Sequence, residues 1–212
     1  MRYALIQRGE SRSFPEGDAF PSGGCTPADA DVLIYLSEDA QPDPAKAAVL
    51  IELGMESLAV HAGEDADETR ANFVGFARYR NGDDPPSQLV ELVRRPWTLD
   101  SAIAAARQVF EAAGLEVVVS ADQPGRIIDR LVRPKYNAAL RLLDEGLATQ
   151  ADMDLTCRLG LGYPDGPIER VRRGGLRNHY EITQGLFETY GTPAYAPPRQ
   201  AVVAAQREGR KT

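Results

Sequence analysis

Short apolar runs broken by polar, glycine- and proline-rich segments fill the first half of the chain, and longer amphipathic stretches fill the second. Runs at 3–6 (YALI), 31–36 (DVLIYL), 47–53 and 115–120 read as strands, those at 31–36 and 115–120 as buried ones, and further apolar runs stand at 73–77 and 88–93. Residues 13–29, rich in Gly, Pro, Ser and acid, read as a loop, and 37–44 (SEDAQPDP) are too short and proline-rich for a helix. The acidic stretch 61–70 reads as a loop or a short helix. The spacing of Ile103, Ala106, Phe110 and Ala113 predicts a helix over 98–114, with Thr98 as its cap and Gly114 ending it.

Pro124-Gly125 launches a second long helix, in which Ile127, Leu131, Leu140 and Leu143 mark the expected buried stripe and Pro134 interrupts the backbone bonding. Thr149-Gln150-Ala151-Asp152 is a capping pattern for a helix through Arg158. The turn 160–167 (GLGYPDGP) follows, with Pro167 placed to start the next helix. His179, Tyr180, Leu186 and Phe187 continue a further helix, His179 expected to be partly exposed, and Pro197-Pro198 restart a last one.

Charge sharpens the division. Residues 1–121 carry 10 Lys/Arg against 20 Asp/Glu and residues 122–212 carry 14 against 11, so the halves stand at −10 and +3, matching the overall −7. An acidic front half argues against a nucleic-acid partner. The basic excess gathers at Arg170, Arg172, Arg173 and Arg177, a cluster suited either to an anion or to a solvated helix face. No run is long enough to span a bilayer, and the opening MRYALIQRGESRS lacks a secretory apolar stretch, so a cytoplasmic setting is expected. Cys25 and Cys157 stand apart without metal-type spacing, giving unpaired thiols and no metal site.

From about Asp31 to the end, the chain resembles the 3-hydroxyacyl-CoA dehydrogenases. The 160–167 turn matches the family's Gly-x-Gly-aromatic-Pro-x-Gly-Pro. Residues 125–134 (GRIIDRLVRP) follow Gly-Phe-hydrophobic-x-Asn-Arg-x-x-x-Pro, with Asp129 at the asparagine and Arg126 beside it. Glu56-Ser57-Leu58-Ala59-Val60 echoes Ser-Ser-Leu-x-Ile, and 88–93 echoes Leu-Val-Glu-Val. The resemblance implies an α/β plus all-α fold: a reduced Rossmann-like mixed sheet of five to seven strands over 1–121, then a helical dimerisation and substrate domain over 122–212.

The family's chemistry is NAD-dependent. A histidine takes the proton of the 3-hydroxyl, a glutamate orients that histidine, and a serine binds the hydroxyl. Here the histidine position holds Ala77, while Glu91 and Ser57 stand as catalytic relics. Glu91 is expected to pair with Arg78 or Arg80 instead. Where Gly-x-Gly-x-x-Gly is needed, the chain offers Gln7, Gly9 and Arg12, leaving Gly9 as the one cofactor-binding position. Asp129 and Arg126 are the substrate-binding positions.

The resulting reading is a family member without NAD-dependent hydride transfer, acting as an acyl-CoA-binding or interaction subunit. It would form a homodimer, or a heterodimer with a full-length relative, the sheet having lost helices that would cover an apolar face. One alternative is an active dehydrogenase of fatty-acid or aromatic-acid degradation using shifted residues, His61, Ser57 or Glu91. The other is a structural protein binding an anionic partner through the arginine cluster. The chain ends at Thr212, where the family continues with Gly-x-Gly-Phe-Tyr.

Overall fold

The computed structural model describes residues 1–36 and 39–210, so Ser37 and Glu38, which begin the proline-rich segment, and the final Lys211 and Thr212 lie outside it. Two compact units emerge: Met1–Arg80 with Pro86–Arg126, and Asn81–Pro85 with Ile127–Thr212.

In the first unit β1 (Tyr3–Gln7), β2 (Val32–Leu36), β3 (Ala48–Glu52), β4 (Phe73–Arg78), β5 (Leu89–Arg94) and β6 (Glu116–Ala121) form one sheet in sequential order. Every neighbouring pair is parallel except β4 with β5. Each position of β2 and β4 is buried, the reason these runs are continuous rather than alternating. The usual dinucleotide-binding sheet reverses its strand order at the crevice that takes the ligand. The six strands here run from β1 to β6 with no reversal.

Helix α2 (Asp100–Ala112) lays Ala102, Ile103, Ala106, Val109 and Phe110 on one face of this sheet. The expected cap is corrected: Thr98 lies before the helix, its hydroxyl accepting from the Arg95 N–H (3.1 Å) and donating to the Phe73 carbonyl (3.3 Å). The segment 13–29 is irregular apart from a short 3-10 turn, Phe20–Gly23, yet it replaces a helix as cover. Phe14 and Phe20 stack at 4.3 Å and join Tyr3, Phe76 and Phe110 in one aromatic cluster. Arg78 lies over Phe14 and pairs with Asp18 at 2.8 Å. The opposite face buries Leu33, Tyr35, Val49, Ile51, Phe73 and Val93 with Leu58 and Ala62 of the short turn around α1 (Ala59–Ala62). The expectation of an uncovered apolar sheet face is therefore corrected. A polar-looking loop hides two phenylalanines that do the covering.

The second unit holds α3 (Ile127–Asp144), α4 (Gln150–Leu161), α5 (Pro167–Arg173), α6 (Leu176–Tyr190) and α7 (Arg199–Glu208). Thr149 caps α4 by accepting from the Asp152 N–H, and Gly162 closes it at a φ of +68°. Gly166 has no room for a side chain, because a Cβ there would overlap Asp154. That aspartate is buried and caps α5, accepting from the Ile168 N–H at 2.9 Å and the Glu169 N–H at 3.1 Å. Gly162 and Gly166 of the motif thus answer to different needs, one a backbone angle and the other a close approach.

Two expectations fail on α3 and α6. Leu131 is 71% exposed and Ile127 40%, and the buried face is set by Arg133, Tyr136, Asn137 and Leu140. His179 is fully buried. Both errors have one cause: the hidden face of α3 carries polar side chains that a search for apolar spacing passes over.

Candidate functional site

The carboxyl ends of β1, β2 and β3 open into a cavity of about 550 Å³ lined by Arg8, Glu10, Arg12, Asp39, Glu52, Leu53, Gly54, Glu56 and His61. Its floor is fixed by Glu52 at the end of β3, which accepts from the Ser11 hydroxyl (2.9 Å) and the Ser13 N–H (2.7 Å). Glu56 accepts from the Gly54 N–H at 3.0 Å and stands 3.5 Å from the His61 Nε2.

Burial opposes charge on Glu56, but its bonds to His61 and to backbone N–H groups outweigh this and hold it at about 2. The same contact with Glu56 raises the His61 pKa against the effect of burial. The pair is an imidazole with an orienting carboxylate, the arrangement of a proton-transfer group. Sequence order hid it, although a separation of five residues across a strand-to-helix turn was its one signal.

The segment carrying this pair is clamped. Asp122 accepts from the N–H groups of Leu58 (2.7 Å) and Ala59 (2.9 Å), and Gly125 donates to the Met55 carbonyl at 2.7 Å. Buried Arg126 donates to the carbonyls of Glu56 (3.0 Å) and Gln123 (2.9 Å), so its guanidinium holds the backbone beside Ser57. Ser57 is half-buried at that turn, its carbonyl accepting from the Val60 N–H. The contacts of Asp122, Gly125 and Arg126 with residues 55–59 were not legible from local patterns, because those partners lie more than sixty residues apart.

Gly9 sits in the turn after β1 at a φ of +111°, with its carbonyl accepting from the Gln7 side chain. No helix follows it before the 3-10 turn at Phe20, so no helix N-terminus is aimed at a phosphate there. The cavity beside it presents four carboxylates against two arginines and a histidine. That donor set does not fit a pyrophosphate.

Ala77 and Glu91 face each other across the antiparallel β4–β5 pair. The register thus brings together the two positions expected to hold the base and its orienting acid, with a methyl group in place of the imidazole. Glu91 is buried. Of the two arginines nearby in sequence, Arg78 meets Asp18 at 2.8 Å and Arg80 stands 3.8 Å from Glu10.

In the helical unit Asp129 accepts from the Arg133 Nε at 2.7 Å. Arg133 reaches the His179 Nδ1 at 3.3 Å, and the His179 Nε2 meets the Asn137 Oδ1 at 2.8 Å. Asn137 in turn donates to the Ala194 carbonyl at 2.8 Å. Burial, reinforced by Arg133, pushes His179 down to about 3, so the ring is neutral. One Asp129 oxygen is thereby committed to a neighbour on its own helix. The arginine cluster is engaged as well: Arg170 and Arg173 meet Asp165, Arg173 also Asp84, Arg172 the amides of Gln150 and Gln200, and Arg177 Glu181 and Glu208. Among the described residues no group of three potential metal ligands occurs, and no helix is long and apolar enough to cross a membrane.

A parallel-rich sheet with strand-end crevice, joined to a helical unit built on a Gly-x-Gly-aromatic-Pro turn, is the architecture of a two-domain dehydrogenase fold. The comparisons agree. Residues 125–212 match the model of the 3-hydroxyacyl-CoA dehydrogenase, C-terminal domain. The mitochondrial hydroxyacyl-coenzyme A dehydrogenase of Homo sapiens is 33% identical over 131 residues, covering 60% of this chain and 42% of that protein. A 3-hydroxybutyryl-CoA dehydrogenase of Bradyrhizobium diazoefficiens is 35% identical over 130 residues, 60% of this chain and 44% of its own. The chain spans less than half the length of these relatives.

Among solved structures, 3-hydroxybutyryl-CoA dehydrogenase from Escherichia coli K12 superposes with a TM-score of 0.74 at 23% identity, over 85% of this chain and 40% of that one. (S)-3-hydroxybutyryl-CoA dehydrogenase from Ralstonia eutropha gives 0.72 at 21%, over 84% and 66%. Residues 125–212 thus match a 3-hydroxyacyl-CoA dehydrogenase C-terminal domain, and the chain is similar to members of that family over the 60% that aligns with them.

Proposed function

We propose that this family member does not carry out NAD-dependent hydride transfer and serves as an acyl-CoA-binding or interaction subunit. The observation that carries the reading is the strand order, which runs from β1 to β6 without the reversal at which a dinucleotide-binding sheet usually seats its ligand. The acidic lining at the strand ends and the methyl group of Ala77 opposite Glu91 support it from separate directions. Support for a CoA-ester role comes from the helical half, where the family match lies. Partnering, as a homodimer or with a full-length relative, draws on that unit too, since Leu131, Leu155 and Leu159 are 71%, 46% and 80% exposed.

A second reading has its own observation. The His61–Glu56 pair could replace the missing base and keep some chemistry alive. Two measurements separate the two. Thermal shift with acetoacetyl-CoA is expected to stabilise the protein, by about 2.7 kcal/mol at a hundred times the dissociation constant. NAD⁺ is expected to leave the melting temperature unchanged. Formation of NADH from a 3-hydroxyacyl-CoA, abolished by His61→Ala, would hand the case to the second reading.

A further inference from the structure

The helical unit contains a groove of about 370 Å³. Its walls are the side chains of Ala138 and Leu142 on α3, Leu147 beyond it, and Met153 and Leu161 on α4. Leu142, Leu147 and Leu161 keep 38%, 66% and 62% of their surface open. The lining is almost wholly carbon, with one charged group, Lys135. From Lys135 to Leu142 is two helical turns on one face, about 10 Å at the rise of an α-helix. The groove therefore has a cationic end and an apolar end.

Lys135 has no carboxylate within ion-pair distance among the described residues. Its ammonium is 4.2 Å from the ring centroid of Tyr163 and 5.4 Å from that of Tyr136, which hold it at the groove mouth. Burial lowers its pKa, and the nearby charge of Arg170 works the same way. An ammonium kept half-buried beside another cation gains from any anion that arrives. Leu155 and Leu159 lie on the far side of α4 from Met153 and Cys157, so a partner docked on those leucines leaves the groove open.

We propose that this groove binds a medium-chain carboxylate, with its head group on Lys135 and its alkyl tail along Leu142 and Leu147. The proposal holds whether or not the chain binds a CoA ester. A saturated carboxylate fits because one cation faces one anionic head, and the only other polar side-chain groups among the lining residues are the Tyr163 and Thr156 hydroxyls and the Cys157 thiol.

The test is calorimetric titration of the full chain with hexanoate, octanoate and decanoate, and with octylammonium as the charge-reversed control. Affinity is expected to strengthen about fourfold for each added methylene. Octylammonium is expected to give no binding. Lys135→Met is expected to weaken octanoate at least tenfold. Leu147→Asn, at an exposed position where misfolding is avoided, is expected to flatten the dependence on chain length. Absence of octanoate binding, equal binding of octylammonium, or an unchanged affinity in Lys135→Met each overturns the proposal. If octanoate gives no heat and Leu147→Asn instead dissociates a dimer in sedimentation, the groove is an interface between copies.

Discussion

The two units solve the problem of burying a core in opposite ways. The sheet unit hides aromatic rings under an irregular segment and lines a strand-end cavity with Glu10, Glu52, Glu56 and His61. The helical unit exposes leucines and hides a chain of polar groups, Arg133, His179 and Asn137, between α3 and α6, with half-buried Asp129 at its end. Each unit holds one of the chain's two histidines, and their settings follow this division. The lesson is that apolar spacing reports the core of the first unit and misreports that of the second.

The largest effect is expected where the sheet unit relies on its loop. Phe20 is 6% exposed and touches Tyr3, Phe14 and Phe110, so Phe20→Ala empties the centre of the aromatic cluster. A loss of about 3–5 kcal/mol is expected for a buried Phe→Ala change, read from denaturant unfolding. A loss below about 1 kcal/mol would show that segment 13–29 drapes over the sheet without stabilising it.

The second test breaks the helical unit's polar chain. His179→Leu is close in volume, yet it leaves the Asn137 Oδ1 and one Arg133 donor buried without their partner. Arg133 already has one buried nitrogen, Nη2, without a hydrogen bond. A cost of about 2–4 kcal/mol is expected, since a buried group stripped of its partner bears its full desolvation. A neutral or stabilising result would mean the polar chain is tolerated by the fold and does not stabilise it.

This contrast also explains what could be read in advance. All six strands were legible because a buried strand is a continuous apolar run, and the 160–167 turn was legible because glycine and proline fix its backbone. Asp154, by contrast, gave no local sign that it caps a helix beginning thirteen residues later. Leu131 was misplaced because it continues the spacing of Leu140 imperfectly, while the true inward positions hold Arg133 and Asn137. At the candidate site the same limit applies. Gly9, Ser57 and Ala77 could be judged against a motif, but the clamp of Asp122 on Leu58 and Ala59 is a long-range contact with no periodicity to announce it.

The smallest and sharpest effect separates the histidines by titration. His61 gains an anionic neighbour on folding, so its pKa lies above the ordinary 6.5. Its contribution to stability is then complete below the unfolded value and is lost as pH rises through the folded one. Glu56 behaves oppositely: held at about 2 against an ordinary 4.5, it contributes above 4.5 and loses that contribution as pH falls toward 2. The pair therefore stabilises most between about pH 4.5 and 6.5. Glu56→Gln removes the hydrogen-bonded charge and leaves burial as the larger remaining influence on His61, so the imidazole should titrate at a lower pH than in the native chain. Proton–nitrogen NMR of the two rings reads this directly. One resonance is expected to titrate above 6.5 and move down in the variant, while the neutral His179 stays unchanged from pH 5 to 9, well above its value of about 3. If both rings titrate together near 6.5, the ion pair at the cavity rim and the buried neutral ring are both wrong, and the two units differ less than their contacts imply.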